Sequence, residues 1–411
     1  MNLIKTIPMH ISKTTFLLSI CLFFIFQLNA QNDNLLEWAN QGTVKNQSFE
    51  AEIPFRYIDG YMFIDIVQNG KTFNFFFDTG AEATVIDNSI IDEFKFNSFA
   101  ETNMSGPVIT NQNVNTIVLS SILVSNIEFN NIGAVAVDLK FAKAKFCAEL
   151  HGIIGSTLLK KAKWQIDYKN KIIKITNDIS NFKLNDSTYT LKTELPSKGW
   201  GTEKIALNID GEEYLFNFDT GNGRSKIVSH PRNFKKYIRQ NKNSIVEYGF
   251  KKSETDYKFI AKRISIGEFE LQDQVVSLEN EVEKLQLLGN RFFENFLVTI
   301  DWEQHNVFLS TIENIIPDSL IGFQLEFQPN YETNKIEIAS GLKDFTKAHK
   351  IEKDAILLQV NGIDVSNLSD LEFCDFWSTE WTKMLGVENL NVVISHNGKS
   401  KELVLSKKIL I

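Results

Sequence analysis

The chain has 411 residues, room for roughly two to four domains of ordinary size. Hydrophobic residues make up 43% and charged residues 23%, the balance of a chain that folds around a buried core, and 33 phenylalanines make that core aromatic. With 43 basic against 51 acidic residues the net charge is -8, which argues against nucleic acid or an anionic membrane surface as the partner.

The N-terminus stands apart. Lys5 and Lys13 precede the apolar run FLLSICLFFIF, and Leu28-Asn29-Ala30 puts a small residue before Gln31. This order of basic region, apolar run and small residue predicts a secretory signal peptide over 1–30 and an exported chain, at a cell surface, in a periplasm or outside the cell. An uncleaved anchor is the alternative, because the run sits near the lower length limit for a span. Without that segment only Cys147 and Cys374 remain. Two cysteines make no disulfide scaffold, so the fold must rest on its core; a single bridge between them stays open.

Next in the chain comes FIDIVQNGKTFNFFFDTG at 63–80, two alternating apolar runs around Asn69-Gly70. Asn-Gly tolerates positive φ and favours a tight hairpin turn, so the segment reads as a β-hairpin whose second strand ends on Asp78-Thr79-Gly80. Strand-like NIEFNNIGAVAVDL at 126–139 and then GIIGSTLLKKAKWQIDY at 152–168 follow. A polar stretch around Asn185-Asp186-Ser187 and Pro196-Ser197-Lys198-Gly199 leads into a second round. KIALNIDGEEYLFNFDTG at 204–221 repeats the hairpin at a shift of 141 residues, with Asp210-Gly211 at the turn and Asp219-Thr220-Gly221 at the end. EFELQDQVVSLE at 268–279 and QLLGNRFFENFLVTIDW at 286–302 complete it, with Gly289 matching Gly155 and Asp301 matching Asp167. Two mainly β units of similar length are predicted, over 45–181 and 188–312.

Duplication alone yields two similar units with no shared chemistry. It leaves unexplained why Asp-Thr-Gly with its aromatic lead survives in both copies when little else is identical. Set face to face across a pseudo-twofold axis, the two loops meet and Asp78 and Asp219 become neighbours. Two carboxyls that close share a proton, so one serves as base toward a water and the other as acid toward an amide. Thr79 and Thr220 are placed to hydrogen-bond across the axis, and Gly80 and Gly221 permit close backbone approach.

On these residues the chain resembles the retropepsin-like and pepsin-like aspartic proteases. FDTGAEATVID with GIIGSTLL, and FDTGN with QLLGNRFF, match the family's Asp-Thr-Gly loop and its later hydrophobic–hydrophobic–Gly motif, Ile153-Ile154-Gly155 and Leu287-Leu288-Gly289. The resemblance spans roughly 45–312. It implies a bilobal, mainly β fold with pseudo-twofold lobes, and an endopeptidase in which Asp78 and Asp219 activate water without cofactor or metal. Both halves lie in one chain, so a monomer suffices, and the substrate is a peptide or protein. The family's flap implies Tyr248-Gly249 at a tip in the second unit and Gly106 in the first; a packed tyrosine is the plainer reading of Tyr248. Two positions depart from the pepsin-like pattern, where Ser or Thr follows the glycine. Ala81 occurs in retroviral relatives and implies a mild-acid to neutral optimum, while Asn222 bears on the ionisation of Asp219.

After Pro317 the pattern changes. DAILLQVNGIDVSNLS at 354–369 resembles a PDZ domain, where a strand ends at an Asn-Gly turn. The resemblance implies a small α+β domain over 318–411. Ile321-Gly322-Phe323 then sits where PDZ domains hold a peptide carboxylate, and a peptide C-terminus is the partner. His349 and Lys353 stand where many members have glycine, so a domain that caps the second unit and binds nothing is the other reading.

Other signals lead nowhere. GNGRSK at 221–226 lacks the spacing of a phosphate loop, the histidines at 151, 230, 305, 349 and 396 show no metal-ligand spacing, and no GxSxG elbow occurs. His151 reads as a packed residue. An exported peptide-binding protein that no longer cleaves is the competing reading; against it stands the cost of holding two carboxyls together with no use for them. Glycoside hydrolysis by two carboxylates fits the residue count but not the twofold Asp-Thr-Gly context.

Overall fold

The computed structural model describes residues 25–26, 32–105, 112–140, 142, 147–250, 255–280, 286–312, 315–353 and 355–411. Most of the leader reading, Gly106 and Asp354 therefore lie outside the described residues. The protein is mainly β. Among the described residues no helix is long and apolar enough to cross a membrane.

An amphipathic helix, α1 (Asn32–Asn40), opens the fold. The first lobe continues with strands β1 (Glu50–Ile58), β2 (Tyr61–Gln68), β3 (Lys71–Phe77), β4 (Thr84–Asp87), β5 (Phe96–Ser105), β6 (Gln112–Val124), β7 (Ile127–Val137) and β8 (Gly152–Ile154). A short helix α2 (Ser156–Leu159) leads to β9 (Lys163–Asp167) and β10 (Ile172–Thr176). After β11 (Thr188–Lys192) the second lobe runs through β12 (Lys204–Ile209), β13 (Glu212–Phe218), β14 (Ile227–Ser229) and helix α3 (Lys235–Gln240). It ends with β15 (Ile245–Tyr248), β16 (Asp256–Ile266), β17 (Phe269–Leu278), β18 (Gln286–Leu288), α4 (Asn290–Phe293), β19 (Phe296–Asp301) and β20 (Asn306–Thr311).

The two lobes repeat one strand order. The first reads β5-β6-β7-β4-β8-β3-β2 and the second β15-β16-β17-β14-β18-β13-β12. In both, the strand from the hydrophobic–hydrophobic–Gly motif lies between two others: β8 is parallel to β3 and antiparallel to β4, and β18 is parallel to β13 and antiparallel to β14. The hairpins carry the turns their sequences ask for, with Asn69 at φ 51° and Gly70 at 75°, and Asp210 at 51° and Gly211 at 92°.

The lobes join through a continuous sheet in which β9 pairs antiparallel with β19. Trp164 lies opposite Ile300 and Ile166 opposite Val298, so equivalent residues exchange partners across the seam. Gln165 faces its own equivalent, Thr299, and donates from Nε2 to its Oγ1 at 2.8 Å, which sets the pseudo-twofold axis between them. Trp164 is fully buried there, edge-on to Phe77 and stacked near Phe129. One aromatic and aliphatic core runs through both lobes, and a second cluster around Trp38, Phe76 and Trp200 lies beside it.

The C-terminal unit has its own core. A short strand β21 (Ile321–Gly322) precedes a sheet ordered β22 (Leu325–Asn330), β23 (Lys335–Gly341), β24 (Ile356–Val360), β25 (Asn389–His396) and β26 (Lys399–Ser406), and the chain ends near β27 (Lys408–Ile409), which pairs with β21. Helix α5 (Lys343–His349) follows β23, and helices α6 (Asp370–Asp375) and α7 (Trp381–Met384) are joined by a π-turn at Phe376–Glu380. Ser369 and Glu372 form a reciprocal capping box that starts α6. Asn361 and Gly362, at φ 47° and 82°, make the tight turn after β24. Cys147 of the first lobe is bonded to Cys374 of α6, a covalent tie across 227 residues of sequence.

Candidate active site

Both Asp-Thr-Gly loops leave their strands at the same point and are held alike. Asp78 donates its backbone N–H to Ile154 O at 3.1 Å, and Asp219 donates to Leu288 O at 3.0 Å. The middle strand of each lobe thus hangs a carboxyl at the end of an aromatic strand. Gly155 and Gly289 let the next turn close under the loop: a Cβ at Gly155 would lie 2.2 Å from Ala83 O, and one at Gly289 2.5 Å from Ser225 O.

The threonines lock the loops together. Thr79 N donates to Thr220 Oγ1 at 2.9 Å, and Thr220 N donates to Thr79 Oγ1 at 2.9 Å. Each hydroxyl then donates onward across the axis, Thr79 to Phe218 O at 2.9 Å and Thr220 to Phe77 O at 3.1 Å. Four hydrogen bonds related by the pseudo-twofold leave little freedom between the loops.

The carboxyls face each other over the two glycines. A Cβ on Gly80 would stand 2.1 Å from Asp219 Oδ1, and one on Gly221 would stand 2.4 Å from Asp78 Oδ1. Only glycine makes this room. Asp78 Oδ1 accepts from the N–H groups of Gly80 at 2.8 Å and Ala81 at 3.1 Å, while Asp219 Oδ1 accepts from Gly221 at 2.8 Å. Both residues are 0% exposed. Burial, and then the neighbouring Asp219 carboxyl, push the Asp78 carboxyl well above the usual carboxylate range, against the pull of the Gly80 and Ala81 N–H groups. The pair holds a proton where an isolated, solvated carboxyl would not. Such a pair is able to take a proton from a water and to supply one to an amide. Among the described residues no group of three His, Cys, Asp or Glu is placed to hold a metal ion.

Several residues at the site carry no sequence motif. Asn290, directly after Gly289, is fully buried and donates to Thr220 O at 2.6 Å and to Gly60 O at 2.8 Å; it accepts from Tyr168 OH at 2.7 Å. It ties the second loop to two segments of the first lobe, at the offset where Ser156 follows Gly155. Gly60 packs so close that a Cβ there would lie 1.9 Å from Gly223 O. Glu82, four residues past Asp78, is buried and takes both 2.7 Å contacts from Lys198 of the interlobe stretch. A polar residue after the glycine motif, and a charge inside an apolar run, were the signals available for these two.

The remaining expected site residues fall elsewhere. Tyr248 and Gly249 do lead off the β15–β16 hairpin, the counterpart of β5–β6. Tyr248 is nevertheless 2% exposed, bridges to Leu342, and has the Lys258 ammonium 4.8 Å over its ring. Gly249 donates to Gly341 O at 2.8 Å. Tyr248 and Gly249 are thus held against the C-terminal unit, and residues 251–254 beyond them lie outside the described residues. Ile321 and Gly322 pair with β27, and Phe323 joins the core of the C-terminal unit. Gly322 and Phe323 still line a groove of about 660 Å³, bounded by β22, by Trp377, Trp381 and Leu385, and by Arg224 and Lys258 of the second lobe. His151 accepts from Asn74 N at 3.1 Å and packs edge-on to Phe73, far from any acid–base role.

No curated protein matches the chain. Among solved structures it is similar to basic 7S globulin from soybean, at 9% identity over 64% of this chain and 95% of that one, with a TM-score of 0.40. By sequence, residues 64–158, which carry Asp78-Thr79-Gly80 and Gly155, match the family described as aspartyl protease.

Proposed function

We propose that the protein is an exported aspartic endopeptidase in which Asp78 and Asp219 share a proton and activate water against a peptide bond. One observation carries the reading: two buried carboxyls meet across a pseudo-twofold axis, over glycines that admit nothing larger. In the proposed reaction the ionised carboxyl takes a proton from water as its oxygen attacks the scissile carbonyl carbon. The protonated carboxyl gives its proton to the carbonyl oxygen. The tetrahedral diol then collapses: one diol hydroxyl returns a proton to the carboxylate that had given one, the C–N bond breaks, and the proton first taken from water passes to the leaving amine. No covalent intermediate is needed. Thr79, Gly80, Thr220 and Gly221 hold the pair in place, and Asn290 positions the second loop.

The C-terminal unit is proposed to be PDZ-like, with β22 as the free sheet edge of a groove that takes a peptide C-terminus. The edge position of β22 and the groove facing α7 support this. The boundaries proposed for the three units are those at 45–181, 188–312 and 318–411, with one chain forming a complete site.

The test is cleavage of a mixed peptide pool by the wild type, Asp78→Asn and Asp219→Asn, each as oxidised and as dithiol-reduced protein. Wild-type cleavage that a statine-type mimic blocks, and that falls by about 10²–10⁴-fold or more in either variant, is the predicted result. A wild type that binds peptides but cuts none in either form would make the protein a receptor on this scaffold, the reading that Asn222 and the closed site favour.

A further inference from the structure

The Cys147–Cys374 bond has a place in the fold that neither core stability nor the dyad explains. Asp78 and Asp219 are 0% exposed, so a peptide reaches them only if the surrounding structure opens. The C-terminal unit is attached to both lobes. It holds the second lobe by non-covalent contacts, Gly249 N to Gly341 O at 2.8 Å, Lys343 to Glu247 at 2.5 Å, Asp318 to Lys226 at 2.6 Å, and the Lys258–Glu326 pair. At the junction of the lobes, Tyr331 from the β22–β23 turn lies beside Arg224, five residues past Asp219. Arg224 in turn lies 3.5 Å from Asp59 in the turn of the first lobe that packs on Gly223. To the first lobe itself the unit is bonded covalently, through the disulfide.

The attachment point matters. Cys147 stands just before β8, the strand that pairs with β3 at Gly152–Phe75 and presents Ile154 O to the Asp78 amide. Cys147 is exposed and Cys374 half-exposed, so a reductant has access to the bond.

We infer that this disulfide is a redox latch: exchange with a dithiol releases the C-terminal unit from the first lobe and admits a peptide to Asp78 and Asp219. A thiolate of the dithiol attacks Sγ of Cys147, the bond to Cys374 breaks, and Cys374 leaves as a thiolate. The second thiol of the reductant attacks its partner sulfur in the mixed disulfide and releases Cys147. Two electrons pass to the protein, the dithiol leaves as a disulfide, and both thiolates end protonated or ionised according to pH. With the latch closed, the open arrangement is a minor state of about 0.1–10%. Releasing the latch makes it dominant, and apparent activity rises by the reciprocal of that fraction. The gain in cleavage rests on the dyad reading; the opening itself does not.

The test uses the full chain in three forms: oxidised, reduced and alkylated, and as Cys374→Ser. Two quantities are read, amide hydrogen exchange at 78–81 and 219–223, and cleavage of a peptide pool. Both are expected to rise by about tenfold or more on release, and reoxidation of reduced, unalkylated protein is expected to reverse them. Equal exchange and equal cleavage in all forms would overturn the latch, as would full cleavage by the oxidised protein. Exchange that rises while no form cleaves supports the latch and defeats the dyad reading. Should Cys374→Ser fail to fold, the reduced and alkylated wild type decides.

Discussion

At the scale of residues, burying Asp78 beside a second carboxyl is costly. Its carboxyl is buried beside Asp219, and its pKa in the folded chain is raised well above the unfolded value. A carboxyl with a raised folded pKa contributes stability that is present in acid and is lost as pH rises through the folded value. Asp78→Asn removes that dependence. The variant is therefore predicted to melt above the wild type at neutral pH and to lose the advantage on acidification, while cleavage collapses at every pH; parallel thermal melts across the range check it. Asn290 makes a second case. Asn290→Ala strands Thr220 O, Gly60 O and the Tyr168 hydroxyl, at about 1–3 kcal/mol for each group left unpaired. The predicted kinetic signature is a fall in kcat with KM nearly unchanged, because the loop and not the substrate is disturbed; Asn290→Gln, which retains the amide, should recover part of it. That Asp78 and Asp219 would meet was legible in the sequence because Asp-Thr-Gly occurs twice in the same hairpin frame. Asn290, Glu82 and Lys198 were not, because each acts once, through a partner 70 to 230 residues away.

At the scale of elements, the repeated pieces were the readable ones. Alternating Phe73, Phe75 and Phe77, set against Tyr214, Phe216 and Phe218, predicted the hairpins, and their turns adopt the positive φ that Asn-Gly and Asp-Gly allow. The hydrophobic–hydrophobic–Gly motif predicted a common element, and β8 and β18 supply it. Gly155→Ala should therefore act on the site as well as on stability. Its Cβ meets Ala83 O, overpacking costs about 1–3 kcal/mol, and the strain falls on the turn directly after Ile154, which holds the Asp78 amide. Loss of cleavage out of proportion to loss of melting temperature is the expected pattern, from a cleavage assay run beside a melt. Helix α1 escaped the sequence reading. It is short, follows the leader-like segment, and owes its place to tertiary packing: Trp38 donates to Ile117 O at 2.9 Å and meets Trp200 edge-on. Tyr248 shows the opposite limit. Its partner Leu342 belongs to a unit nearly a hundred residues further on, which no local pattern around Tyr248 could indicate.

At the scale of the whole molecule, one seam and one bond organise the units. In the β9–β19 seam equivalent residues exchange partners about the Gln165–Thr299 pair, and Trp164 fills the core behind it. Trp164→Ala is predicted to cost about 3–5 kcal/mol, and denaturant unfolding would report it as a lower midpoint. Sequence periodicity gave this symmetry away, since WQIDY and VTIDW repeat without a gap. The disulfide was open in the sequence, where two cysteines far apart specify no geometry. The central claim is that Asp78 and Asp219 work as one unit, and the pH profile of kcat/KM for a cleaved peptide tests it most directly. Measured for wild type and both Asn variants, oxidised and reduced, the wild type is predicted to give a bell with two apparent pKa values belonging to the pair. Each variant should lose the whole bell. A variant that keeps either limb at near wild-type rate would mean that the two carboxyls do not share the reaction, and the account would fall.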